Sequence, residues 1–71
     1  MQTLGLRFKS GTSTGTGSSQ TIAHGLVSVP NVISVVPNDP SASVTGLYAD
    51  DTNVYLTVTI DKDYTYVFIV L

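Results

Sequence analysis

Cysteine is absent from this 71-residue chain, so no disulfide can brace it. The absence matters at this size, because so small a chain buries only roughly 60% of its unfolded surface and its core alone is marginal. Small scaffolds make up the difference with disulfides, a structural metal or association between copies. No ligand cluster in the sequence points to a metal, and no cofactor is expected. Association is left by elimination. Glutamate is also missing, and charged residues make up 11% of the chain against ~25% in an ordinary soluble domain. Only Arg7, Lys9 and Lys62 are cationic and the formal net charge is −2. The electrostatic footprint of a nucleic-acid binder is therefore lacking, and nucleic acid is not expected as a partner. No apolar run approaches the ~18 residues of a membrane span, which sets membrane insertion aside. The N-terminus lacks the charged region and apolar stretch of a secretory signal. A route out of the cell by lysis, or trimming, is the expectation if the protein works outside. Nowhere do apolar residues recur at i, i+3, i+4 and i+7 for more than a turn, so no helix is expected.

What the chain does contain is Ser, Thr, Asn and Gly, a composition associated with secreted, surface and viral β proteins. Alternation of apolar and polar residues marks out six strands. Thr3 to Lys9 sets Leu4, Leu6 and Phe8 against Thr3, Gly5, Arg7 and Lys9. Residues 10–19, SGTSTGTGSS, have nothing to bury and read as a Gly/Ser/Thr-rich loop, with an edge or interface segment as the alternative. A short strand from Gln20 to His24 closes at Gly25. Val32 to Val36 is apolar on both faces and is expected in the middle of the fold, ended by Pro37, which cannot donate to a ladder. Ser43 to Ala49 alternates with Val44, Gly46 and Tyr48 on one side. Asp50, Asp51, Thr52 and Asn53 are turn formers.

The longest readable element is VYLTVTIDKDYTYVFIVL, Val54 to Leu71. Val54, Leu56, Val58 and Ile60 alternate with Tyr55, Thr57 and Thr59. After the polar Asp61, Lys62 and Asp63, a second strand follows, and the pair reads as a β-hairpin. This last strand carries Tyr64, Tyr66, Phe68 and Val70 on one side, and Thr65, Val67, Ile69 and Leu71 on the other. A strand apolar on both faces needs cover on both. A second copy is expected to supply one layer, with Val32, Val35, Val67, Ile69 and Leu71 at the interface. The whole reads as one domain, 1–71, an all-β antiparallel sandwich of about six strands, jelly-roll or immunoglobulin-like.

Residues of the kind that carry chemistry are few. His24 is the single histidine, with no cysteine nucleophile and no G-x-S-x-G context for a serine, so it reads as a strand-end residue bonded to its own turn. No catalytic residue is assigned, and the protein is expected not to be an enzyme. Asp50, Asp51 and Asn53, or Asp61 and Asp63, offer oxygen ligands but not the spacing of a calcium loop, and read as turn chemistry. Tyr55 sits on the solvated face of its strand. Such a ring covers a cross-strand neighbour or stacks on a sugar, which makes Tyr55 the candidate ligand contact.

The segment QTIAHGLVSVPNVISVVP, Gln20 to Pro37, resembles a motif of viral and phage tail-fibre, receptor-binding and capsid-surface modules and of H-type-lectin-like sandwiches. In that motif a strand ends in His-Gly-Leu, a proline follows, and then a Val-rich strand. Here His24, Gly25, Leu26, Pro30 and Val32 to Val36 hold those places, and Asn53 to Leu71 resembles the closing hairpin of such modules, whose last strand is aromatic and aliphatic. A second glycine after His-Gly-Leu is replaced by Val27, and no sugar-binding residue matches. The resemblance covers about 50 residues and implies a trimeric β-sandwich on a surface. The leading expectation is thus a non-enzymatic viral structural protein, decorating a capsid or forming part of a fibre. Its partners would be copies of itself, as a homotrimer, and other virion proteins, and its place the virion surface or the extracellular space. The rival is a lectin-like module in which Tyr55 and the loops Asn38–Ser41 and Asp50–Asn53 meet a cell-surface glycan. A fragment or designed variant of such a domain is the third reading.

Overall fold

The computed structural model describes residues 6–71. Six strands and no helix make up the described chain: β1 (Phe8–Thr14), β2 (Gln20–Ala23), β3 (Val32–Pro37), β4 (Val44–Ala49), β5 (Asn53–Val58) and β6 (Asp63–Ile69). They form two three-stranded antiparallel sheets, ordered β1-β6-β3 and β2-β5-β4. The arrangement is that of a small antiparallel β-sandwich. Its core is Leu26, Val54, Leu56, Val58, Tyr64, Phe68 and Val70, with Ile22, Ile33, Val35, Val44, Ala49 and Tyr66 packed around it.

The two most apolar strands are central, but not as a hairpin. β5 belongs to one sheet and β6 to the other, so residues 59–62 form an arch between layers. The arch closes with the Lys62 amide donating to the Thr59 carbonyl at 3.2 Å and with Asp61 at φ 65°, a conformation aspartate tolerates better than most side chains. Burial explains the choice. Side by side, the two strands would present their apolar faces to the same side; arched, Val54, Leu56 and Val58 share one core with Tyr64 and Phe68.

Residues 10–19 are only half a loop. Ser10 to Thr14 belong to β1 and pair with Val67 to Asp63. Beyond Phe8 this strand has no apolar residue, and β6 lends it one: Gly11 lies opposite Tyr66, whose phenol occupies the space a Cβ on Gly11 would need. β1 is thereby a later strand than the expected Thr3 to Lys9, which falls partly outside the described residues. Phe8 and Leu6 are exposed, and Lys9, Gly11 and Ser13 form the half-buried side.

Two further expectations are corrected. β3 is an edge strand, not a middle one, a position where Pro37 costs no ladder bond. In β4 the alternation breaks between Thr45 and Tyr48, where Gly46 and Leu47 together oppose Leu56. Gly46 has φ 60°, the left-handed glycine of a β-bulge. One extra residue reverses the faces beyond it, so Val44 and Ala49 both reach the core and Tyr48 turns outward.

Candidate functional site

Two surfaces stand out, one on each sheet. On the β1-β6-β3 sheet the outward residues fall into rows across the strands: Phe8–Ile69–Val32, Ser10–Val67–Ser34 and Thr12–Thr65–Val36. None is charged. Phe8 is 56%, Val36 57% and Val32 38% exposed, while Val67 and Ile69 are half-buried between their neighbours. Leu71 lies beyond the strand end and is exposed. Of the residues expected at an interface, Val32, Val67 and Ile69 therefore share this face, and Leu71 borders it. Val35 does not. It points into the sandwich and packs on the core, because in a two-layer fold a strand turns alternate residues inward whatever their hydrophobicity. Phe8 and Val36 belong to the face and were not expected there; for Phe8 the misleading signal was alternation with Leu4 and Leu6, which read as a core face.

The second surface is a corner of the β2-β5-β4 sheet. Tyr48 and Tyr55 are directly opposite on β4 and β5, and their rings stack with centroids 4.7 Å apart and planes 21° from parallel. The Tyr55 hydroxyl donates to Asp50 Oδ2 at 2.7 Å. Asp50 Oδ1 accepts the amides of Thr52 and Asn53 at 2.9 and 2.7 Å, making the tight turn between the two strands. Together the Tyr55 hydroxyl, then the Asn53 and Thr52 amides, hold the Asp50 carboxyl below its usual range, since each stabilises the anion. Sharing its proton with Asp50 raises the Tyr55 phenol in turn.

His24 anchors the same turn from inside. It is 1% exposed; Nδ1 accepts the Leu26 amide at 2.9 Å and Nε2 lies 2.9 Å from the Asp50 carbonyl. A carbonyl can only accept, so Nε2 donates and the ring is the neutral tautomer protonated there. Both nitrogens are occupied in holding backbone, leaving neither to serve as a base.

At the other end of the sandwich, a shallow open cleft of about 350 Å³ is lined by Thr12, Ser13, Thr14, Asn38 and Asp63. Its groups serve one another: Thr14 donates to Asp63 at 2.7 Å. Nearby, Asp39 takes the hydroxyl and amide of Ser41 at 2.6 and 2.8 Å and Lys62 Nζ at 3.1 Å. The two Ser41 bonds, then Lys62, lower its carboxyl to about 2. The loops Asn38–Ser41 and Asp50–Asn53 thus lie at opposite ends of the molecule, and only the second adjoins Tyr55. Among the described residues no three His, Asp, Glu or Cys side chains converge as metal ligands.

Fold and surfaces define a small antiparallel β-sandwich with an apolar patch on the outer face of one sheet and an aromatic corner on the other. No protein-family model, no curated protein and no solved structure matches the chain.

Proposed function

We propose that the protein is a non-enzymatic structural protein whose work is assembly with copies of itself, as a decoration or fibre component on the outside of a viral particle. The observation that carries the assembly is the patch of exposed Phe8, Val32 and Val36 around half-buried Val67 and Ile69 on the outer face of the β1-β6-β3 sheet. Exposed apolar patches of this kind mark interaction surfaces, and among the described residues β1 and β3 are the edges of the sheet, whose outer ladder groups a neighbour can use. The occupant is a second copy: an edge of one chain set against this face of the next is a heterologous contact, which repeats into a closed ring. The virion setting rests on the resemblance of His24 to Val36 to tail-fibre and capsid-surface modules.

Size decides what form the assembly takes. Three strands ~4.8 Å apart and about six residues long at ~3.3 Å each give a face of roughly 300 Å² in projection. Stable pairwise interfaces bury ~800 Å² on each partner. One face is too small for a tight dimer, and a closed ring in which each copy uses the face and an edge supplies more contact. A trimer satisfies this.

Light scattering on the purified protein across the micromolar range tests the reading. A mass of several chains is expected, and Phe8→Asp or Val36→Asp, both at exposed positions, should return a folded monomer. A native protein that is a folded monomer throughout, or variants that keep the native mass, would overturn it.

A further inference from the structure

β3 is apolar on both faces, VISVV from Val32 to Val36, yet among the described residues it lies at the edge of its sheet. An edge of this kind is a template for a further strand unless something blunts it. We propose that β3 pairs antiparallel with β3 of a second copy about a two-fold axis through Ser34, so that the two sheets run together in the order β1-β6-β3-β3-β6-β1. In the paired sheet β3 becomes a central strand, as its two apolar faces require.

The ladder fixes which backbone groups are open. The Asn38 amide donates to the Asp63 carbonyl at 2.9 Å, one step beyond the Pro37–Tyr64 pair, so Asn38 and Asp63 form a hydrogen-bonded pair. Such pairs alternate along an antiparallel ladder. Val32, Ser34 and Val36 therefore bond β6, while the amides and carbonyls of Ile33 and Val35 point to the open side. Pro37, the next outward residue, has no amide to offer and ends the usable edge. A partner strand crossing at Ser34 sets Ile33 against the partner's Val35 and Val35 against the partner's Ile33, and both are hydrogen-bonded pairs. Every outward amide and carbonyl between Val32 and Val36 is then used.

The side chains agree with this register. Ile33 and Val35 pack on the core, so their pairing extends the inner side of the sheet from one copy to the next. On the outer side Val32, 38% exposed, meets the partner's Val36, 57% exposed, and Ser34 meets the partner's Ser34. β-branched residues paired across strands stabilise a ladder. A slide of two residues would set Val36 against a serine or a proline instead, and a slide of one would set inward residues beside outward ones. No charge lies in β3 to oppose its copy. The other edges are poorer templates: β4 is bulged at Gly46–Leu47, β2 has four residues, and β1 has nothing apolar after Phe8 to bury. The contact is isologous and closes at two copies, so it is separate from the heterologous contact of the ring, which can take the β1 edge. Five residues a side fall well short of the ~800 Å² of a stable interface. Single chains therefore pair only above the micromolar range, whereas a ring offers one such edge per copy and is linked through several at once.

Cysteine trapping reads the contact directly, because the chain has no cysteine of its own. On the axis, Ser34 faces the partner's Ser34 in a non-hydrogen-bonded pair with Cα atoms about 4.5 Å apart, within the ~4.4–6.8 Å that a disulfide spans. Mild oxidation of Ser34→Cys at submillimolar concentration is expected to double the chain mass under denaturing, non-reducing conditions. Ser10→Cys, at the β1 end of the same outward row, should stay single. In the unsubstituted protein the Ile33 and Val35 amides should exchange with solvent more slowly as concentration rises into that range, and return to fast exchange on dilution. A Ser34→Cys variant that stays single, equal cross-linking at Ser10 and Ser34, or Ile33 and Val35 amides that stay fast at every concentration would each overturn the pairing. Any of these beside a ring mass in light scattering removes the β3 contact and leaves the ring standing. A micromolar monomer whose Ser34→Cys variant cross-links does the reverse.

Discussion

A single side chain, His24, ties the loop after β2 to the turn before β5, and through Asp50 of that turn to the tyrosine pair above it. His24→Ala removes two hydrogen bonds at once, leaves the Leu26 amide and the Asp50 carbonyl without partners, and opens a cavity under Leu26. Large-to-small changes and orphaned polar groups of this kind cost ~3 kcal/mol together. A lower urea midpoint with an unchanged slope is expected; an unchanged midpoint would show that the turn stands without it. Asp39 adds a contribution on the acid side at the same scale. Its carboxyl is about 2 when folded against an ordinary 3.8, so the folded state holds fewer protons between those values. The associated stability is complete above the ordinary value and is lost as pH falls from there through about 2. Asp50 adds a loss of the same sign. Urea midpoints measured against pH should therefore fall in that window, and Asp39→Asn should flatten part of the fall; an identical pH profile in the variant would exclude Asp39 as a source.

At the scale of the elements, the arch between β5 and β6 is clamped by the end of β1. Gly15 donates to the Lys62 carbonyl at 2.8 Å and accepts the Asp61 amide at 2.9 Å, and a Cβ there would lie 2.3 Å from the Thr59 carbonyl oxygen. The obstructing atoms are backbone and cannot rotate away. Gly15→Ala is expected to cost at least ~2 kcal/mol, in the range of overpacking, read as a drop in melting temperature; an unchanged melting temperature would mean the arch moves freely. This clamp also shows where sequence reading stops. Alternation assigned the faces of β5 and β6 well, since Val54, Leu56, Val58, Tyr64 and Phe68 all face the core. It carried no information on which strand lies beside which, and so the arch read as a hairpin. β1 was invisible because Gly11, Ser13 and their neighbours have no hydrophobic pattern, their cover coming from Tyr66. The aromatic corner was half legible: Tyr55 followed the alternation of its strand, whereas Tyr48 lay behind a bulge signalled by Gly46 alone.

For the molecule as a whole, the order of strands in space has a consequence in time. Both β1 and β3 take β6 as their ladder partner, so Phe8 meets Ile69 and Val32 meets the same residue from the other side. While a ribosome is still adding residues before 63, the first sheet has two flanks and no centre. Its two flanking strands must wait, unpaired, for the strand that joins them. Such long-range pairing places folding in the slow, millisecond-to-second regime of β proteins, and it makes the nascent chain most vulnerable to wrong partners just before synthesis reaches β6. The same face that would later join finished copies is then a loose set of sticky strands, so crowded synthesis favours tangles between chains over orderly assembly unless folding finishes first.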